Sequence, residues 1–230
     1  MRKKKVAILQ SNYIPWKGYF DLINSVDEFI LYDSAQYTKN DWRNRNKIKT
    51  PNGLLWLTIP VQVKHLDQKI SETLVAQNNW NIKHYKTIKQ FYSGARYFKA
   101  YMDVVEDLYL GCNQTGLSEI NYHFIQGINK LLNIETKLSR SSDYELVDGK
   151  SERLVHLCKQ AGAGIYLSGP SARDYLDESL FAEMDISVEW MDYSGYPEYR
   201  QLNPPFEHAV SIIDLILNEG PDTRKFMKNL

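Results

Sequence analysis

This 230-residue chain lacks an excess of either charge: 28 lysines and arginines balance 28 aspartates and glutamates. No global field therefore favours nucleic acid or a membrane surface as a partner. Cysteine is nearly absent. Cys112 and Cys158 are the two present, with neither metal-ligand spacing nor the density of a disulfide framework. A reduced, cytoplasmic protein is expected. No apolar run approaches the about 20 residues of a spanning helix, so no membrane span is expected. The basic cluster Arg2–Lys5 is too short, and too soon followed by an apolar run, for a signal peptide; it reads as a solvated terminus. Internal repeats, low-complexity segments, a G-x-S-x-G elbow and a cysteine-nucleophile context are also missing. No grouping of His, Cys and Asp has zinc spacing, so no metal site is expected.

What is there is a 43% hydrophobic chain rich in large rings, with 16 tyrosines and five tryptophans. Tyrosine and tryptophan offer stacking faces with polar tips. Apolar runs at 5–10 and Glu28–Tyr32 read as strands, joined by a helix over Tyr19–Asn24. So short a crossover implies parallel pairing. Lys47–Val63 reads as a hairpin turning at Asn52-Gly53, and Ile70–Leu74 as a short strand. Over 80–133 the period becomes helical, which predicts an insertion of roughly three helices. Ile134–Leu138, Ile165–Leu167 and Ile186–Trp190 read as strands, and Ser151–Ala161 and Ser211–Leu217 as helices, the last stopped near Gly220. Strands alternating with helices predict one α/β domain over 1–230 with a Rossmann-like, mostly parallel sheet.

Polar and aromatic groups crowd the segments after the first two strands. The first carries Gln10, Asn12, Tyr13, Trp16, Lys17 and Gly18. The second carries Asp33, Gln36, Trp42, Arg43, Asn44 and Arg45. Ligands of open α/β sheets bind beyond the carboxyl ends of the strands, so these residues form a candidate binding site. Gly18 permits close backbone approach, and Lys17 can contact a phosphate at a helix start. The alternative for both is an ordinary turn with an exposed lysine. Arg43 and Arg45 alternate, which on extended chain places both on one face, suited to phosphate or carboxylate. Trp42 offers a face to a base or sugar; the alternative is a basic surface loop. His84 shares a helix face with Trp80 and is a candidate base; a lone helical histidine is more often structural. Tyr199 and Gln201 of YPEYRQ are further ligand candidates. For Ser211 the preferred reading is a helix cap.

The start KKVAILQSNYIPWKGYFDLI with DEFILYD, and the late LSGPSARDYL, resemble nucleotidylyltransferases of the class I synthetase type. The resemblance of the late segment to their Ser/Thr-rich loop implies Ser168, Ser171 and Arg173 as further binding candidates. The histidines that stabilise a leaving phosphate in those enzymes are missing; Asn12 and Tyr19 stand nearby. The resemblance implies the fold and nucleotide binding rather than nucleotidyl transfer. QSNYIPWKGYFDLI, LYDSAQYTKNDWRNRNKI with WLTIPV, YLSGPSARDYLD and SIIDLILNEG together resemble the WbqC-like family along nearly the whole chain. Ser11 departs from the proline expected after Gln10, and is expected to loosen the loop. The family is associated with bacterial O-antigen and surface-polysaccharide gene clusters.

The resemblance implies that setting rather than a reaction. The setting, with a polar, aromatic, arginine-containing cleft and no metal site, leads to the expectation of a transferase acting on a nucleotide-linked amino sugar, with acyl or aminoacyl transfer to the sugar amine. Asp33 and His84 are the expected base or orienting pair. Arg43, Arg45 and Lys17 are the expected phosphate holders, and Trp16 and Trp42 the expected stacking faces. The expected partners are the nucleotide-linked sugar and a coenzyme A or acyl carrier protein thioester. The alternatives are a nucleotidyltransferase with a degenerate motif and a non-catalytic nucleotide-sugar or carrier-binding protein.

Overall fold

A computed structural model describes residues 2–229. The first half of the chain forms β1 (Lys5–Leu9), α1 (Lys17–Asn24), β2 (Glu28–Leu31), β3 (Arg45–Thr50), β4 (Gly53–Thr58), β5 (Val61–Gln62) and β6 (Leu74–Val75). Three helices follow, α2 (Trp80–Phe91), α3 (Phe98–Leu110) and α4 (Leu117–Leu132). The chain then forms β7 (Lys137–Arg140), α5 (Ser151–Gln160), β8 (Ile165–Ser168), α6 (Glu178–Ala182), β9 (Ser187–Trp190) and α7 (Ile212–Glu219).

Five strands pair in parallel in the order β7-β2-β1-β8-β9. Counted along the chain, that is third, second, first, fourth, fifth: the order of a doubly wound, Rossmann-like sheet, reversing direction between β1 and β8. Alternation along β1 serves both faces. Ala7 packs into a core with Phe29, α1, α4 and α7. Val6 and Ile8 face the opposite core with α5 and Phe181 of α6. Both faces are therefore covered, as a parallel sheet requires. β3 and β4 form the expected hairpin outside this sheet. It turns at Gly53, whose φ of +105° favours glycine.

Some boundaries differ from the sequence expectation for local reasons. The strand expected over Ile134–Leu138 begins at Lys137. Asn133 ends α4 in the left-handed conformation, and Ile134 donates its N–H back to Asn129, which commits it to the helix cap. Ile70–Glu72 is a single 3-10 turn, with strand only at Leu74–Val75. The last helix starts at Ile212, with Ser211 as its cap accepting from the Ile213 N–H.

Candidate functional site

The strand-order reversal leaves a crevice of about 400 Å³ between the carboxyl ends of β1 and β8. Gln10, Ser168 and Ser171 bring hydrogen-bonding groups to its wall, with Gly169 between the two serines. Tyr32, Tyr166, Tyr175 and Tyr193 bring aromatic faces. Tyr166 is buried, whereas Tyr175 is 58% exposed. Lys150, just before α5, is the cation on the lining.

Backbone and side-chain bonds fix the loop that carries Gln10. The Tyr19 phenol donates to the Gln10 carbonyl (3.0 Å). Burial pushes its pKa well up, so it stays a neutral donor. Asp33, at the end of β2, is buried and accepts from the Ser11 N–H (2.8 Å) and the Ser118 hydroxyl. Asn121 of α4 donates to Ser11 Oγ and to the Arg43 carbonyl, both at 2.9 Å. Ser11 thus ties the loop down, where it was expected to loosen it. Its N–H bond to Asp33 is one that proline cannot make.

Several predicted residues turn away from the crevice. His84 lies in an aromatic box with Tyr13, Trp80 and Tyr109. Its Nδ1 is 2.8 Å from the Tyr13 hydroxyl, which in turn meets the Tyr109 hydroxyl at 2.8 Å. Burial pulls the His84 pKa down to about 4 against a hydrogen bond that the ring donates to the Thr58 backbone carbonyl, so the ring is neutral. His84 and Asp33 share no hydrogen-bond partner among the described residues. Lys17 is buried. It donates to the Pro197 carbonyl (2.7 Å) and lies 5.2 Å from the ring centres of Tyr196 and Tyr199. Burial lowers its pKa to about 8, opposed by Asp21 and Glu198.

Arg43 is also drawn inward, donating to Asn12 and pairing with Asp41 at 3.5 Å. Burial lowers its pKa. Arg45 stacks 4.2 Å from the Trp56 ring on the hairpin, so the two arginines do not share a face. Arg43 precedes β3, and strand alternation does not reach it. Asn44 closes the hairpin base with its Nδ2 on the Ile59 carbonyl (2.8 Å). Gln36 donates to the Leu66 carbonyl, in the loop between β5 and β6. Arg173 lies 5.2 Å from the Trp190 ring. Tyr199 donates to buried Asp214 (2.7 Å), and Gln201 braces Tyr199 (3.1 Å) and the Glu207 carbonyl (2.9 Å).

Trp16, Asn12 and Trp42 come together elsewhere. With Pro15, Asn46 and Ala209 they line a second pocket of about 270 Å³. The Trp16 ring lies over Gly18: a Cβ there would come within 2.3 Å of the indole. Trp16 packs on Tyr193 with ring centres 5.4 Å apart. Since Tyr193 lines the crevice, this pair is the wall between the two cavities.

Sequence reasoning missed Tyr32, Lys150 and Tyr166. Tyr32 directly follows β2, and its position at a strand end was the available signal; Lys150 and Tyr166 carried none. No group of three His, Cys, Asp or Glu side chains among the described residues is placed to hold a metal ion. Cys112 and Cys158 are buried and unpaired, and burial raises both thiol pKa values, Cys112 to about 11. No helix among the described residues is long and apolar enough to cross a membrane.

Sheet order and crevice together define a doubly wound α/β protein with its candidate ligand site at the switch point. The chain belongs to the WbqC-like protein family, whose model matches residues 10–226. It is similar to Rv1507c of Mycobacterium tuberculosis (strain ATCC 25618 / H37Rv), described as an uncharacterized protein, with 53% identity over 226 residues and 98% of each chain covered. No solved structure matches.

Proposed function

We propose that this protein binds a nucleotide-linked amino sugar in the switch-point crevice and transfers an acyl or aminoacyl group to the sugar amine, in surface-polysaccharide biosynthesis. The supporting observation is the crevice itself: about 400 Å³ at the strand-order reversal, with tyrosine faces beside Gln10, Ser168 and Ser171. Hydroxyl and carboxamide groups match sugar hydroxyls, and tyrosine rings match a base or a pyranose face. In the reaction, the sugar nitrogen attacks the thioester carbonyl. A C–N bond forms, the C–S bond breaks, and the thiol leaves with the proton that the amine loses. Asp33 and His84 are positioning residues in this scheme. One holds the loop bearing Gln10, and the other holds Tyr13 against the helices. Nucleotidyl transfer has less support, because Tyr19, at the position of an expected catalytic histidine, is buried and bonded to the Gln10 carbonyl.

A ligand that binds only the folded state raises the melting temperature by mass action. Nucleotide-linked amino sugars are expected to raise it, and Ser171→Trp, which fills the crevice from an exposed position, to abolish the rise. A rise with nucleoside triphosphates and none with nucleotide sugars would contradict the proposal.

A further inference from the structure

The second pocket opens beside a surface that the crevice does not use. On β3 and β4 the cross-strand pairs Arg45–Thr58, Lys47–Trp56 and Lys49–Leu54 share one face of the hairpin. Trp56 is 40% exposed and Trp42 37% exposed, and their rings lie 5.3 Å apart. Arg45 is 4.2 Å from the Trp56 ring, and Lys47 Nζ is 5.6 Å from Trp42 and 5.8 Å from Trp56. Neither cation is matched by a carboxylate among the described residues; Arg45 is steadied by donating to the Asn40 side-chain and backbone carbonyls, which leaves part of its guanidinium for a ligand. A hairpin that only needed to be soluble has no use for two exposed indoles held between unpaired cations. Such a platform suits a flat aromatic base with phosphates attached.

Trp42 also lines the 270 Å³ pocket, whose far wall is Trp16. Asn12 accepts from Arg43 through its side-chain oxygen, which leaves its NH2 group for a ligand. Asn46 is saturated by the carbonyls of Tyr13 and Ile14 and the Lys47 N–H, and shapes the pocket floor. An indole-walled pocket of this volume with one amide donor suits a chain that carries amide carbonyls. At its end, the Trp16–Tyr193 pair separates this pocket from the crevice.

We infer that the hairpin and pocket form the site of a coenzyme A thioester. Its adenine stacks on Trp42 and Trp56, its phosphates meet Arg45 and Lys47, and its pantetheine arm runs past Asn12 towards Trp16. This inference rests on the acyl-transfer reading: it supplies a donor site adjoining the crevice, and transfer requires the Trp16–Tyr193 pair to part so that the thioester carbonyl reaches the sugar nitrogen.

The test is titration of the whole protein with coenzyme A, read from the indole N–H resonances. The signals of Trp42, Trp56 and Trp16 are expected to move, while those of Trp80 and Trp190 stay. Trp42→Ala and, separately, Lys47→Gln are expected to weaken coenzyme A binding by about tenfold, with the response to nucleotide sugars unchanged. Phosphopantetheine, which lacks the adenine, is expected to bind more weakly than coenzyme A. Unmoved indole signals, or both variants binding as the natural protein does, would overturn the inference. So would a holo acyl carrier protein that moves these indoles when coenzyme A does not. Moved indoles without any nucleotide-sugar binding would uphold the donor site and overturn the crevice reading instead.

Discussion

Tyr92 makes the residue-scale energetics concrete. Its hydroxyl donates to buried Asp214 (2.6 Å) and accepts the Lys49 N–H (3.1 Å), joining α7 to the hairpin. Burial raises the Asp214 pKa against the hydrogen bonds from Tyr92, Tyr199 and Gln201, so each lost donor leaves a costlier carboxylate. Tyr92→Phe is expected to destabilise the protein by about 2 kcal/mol in urea unfolding. Residue type was legible in the sequence at this scale, whereas side-chain direction was not. Lys17, Arg43 and Gln201 are polar groups near strand ends or in loops, yet each is claimed by a carbonyl or carboxamide brought close by folding. Gln10, Ser168 and Ser171 line the crevice, and at Gln10 it is the backbone carbonyl that Tyr19 engages.

Elements were more legible than residues. Continuous apolar runs marked β1 and β2, Asn52-Gly53 marked the hairpin, and helical periodicity marked α2, α3 and α4. The stretch between β9 and α7 has no period to detect. Side chains fasten it instead, through Lys17 on the Pro197 carbonyl and Gln201 on Glu207. Gly18 is where element and site meet. Alanine ordinarily strengthens a helix relative to glycine. Here its Cβ would collide with the Trp16 indole, which lines the second pocket and packs on Tyr193 of the crevice. Gly18→Ala is therefore expected to leave the far-UV circular dichroism of the helices intact while weakening nucleotide-sugar binding. Unchanged affinity would show that Trp16 does not shape the crevice.

For the whole molecule, His84 and Glu28 contribute to the acid response in two pH windows. The His84 pKa falls from 6.5 to about 4 on folding because burial disfavours its charge. The unfolded chain therefore binds the proton more readily, and this stability, present above pH 6.5, is lost as pH falls towards 4. At full depth the loss is about 3 kcal/mol. His84→Gln is expected to flatten this part of a stability–pH curve. Glu28, at the start of β2, follows in a lower window. Burial would raise its pKa, but Lys4, Ser139, Tyr144 and Lys137 outweigh that and hold it at about 2, against 4.5 ordinarily. Its contribution is present above pH 4.5 and is lost as pH falls towards 2.

The order of the five parallel strands is what places one crevice at the switch point, and with it the proposed sugar-nucleotide site. The most direct measurement follows the backbone amide resonances during titration with a UDP-linked amino sugar. The expected result is a set of shifts centred on Gln10, Ser168, Gly169 and Ser171, saturating together. Saturating shifts centred elsewhere, or none at these four residues at millimolar ligand, would contradict binding in the crevice.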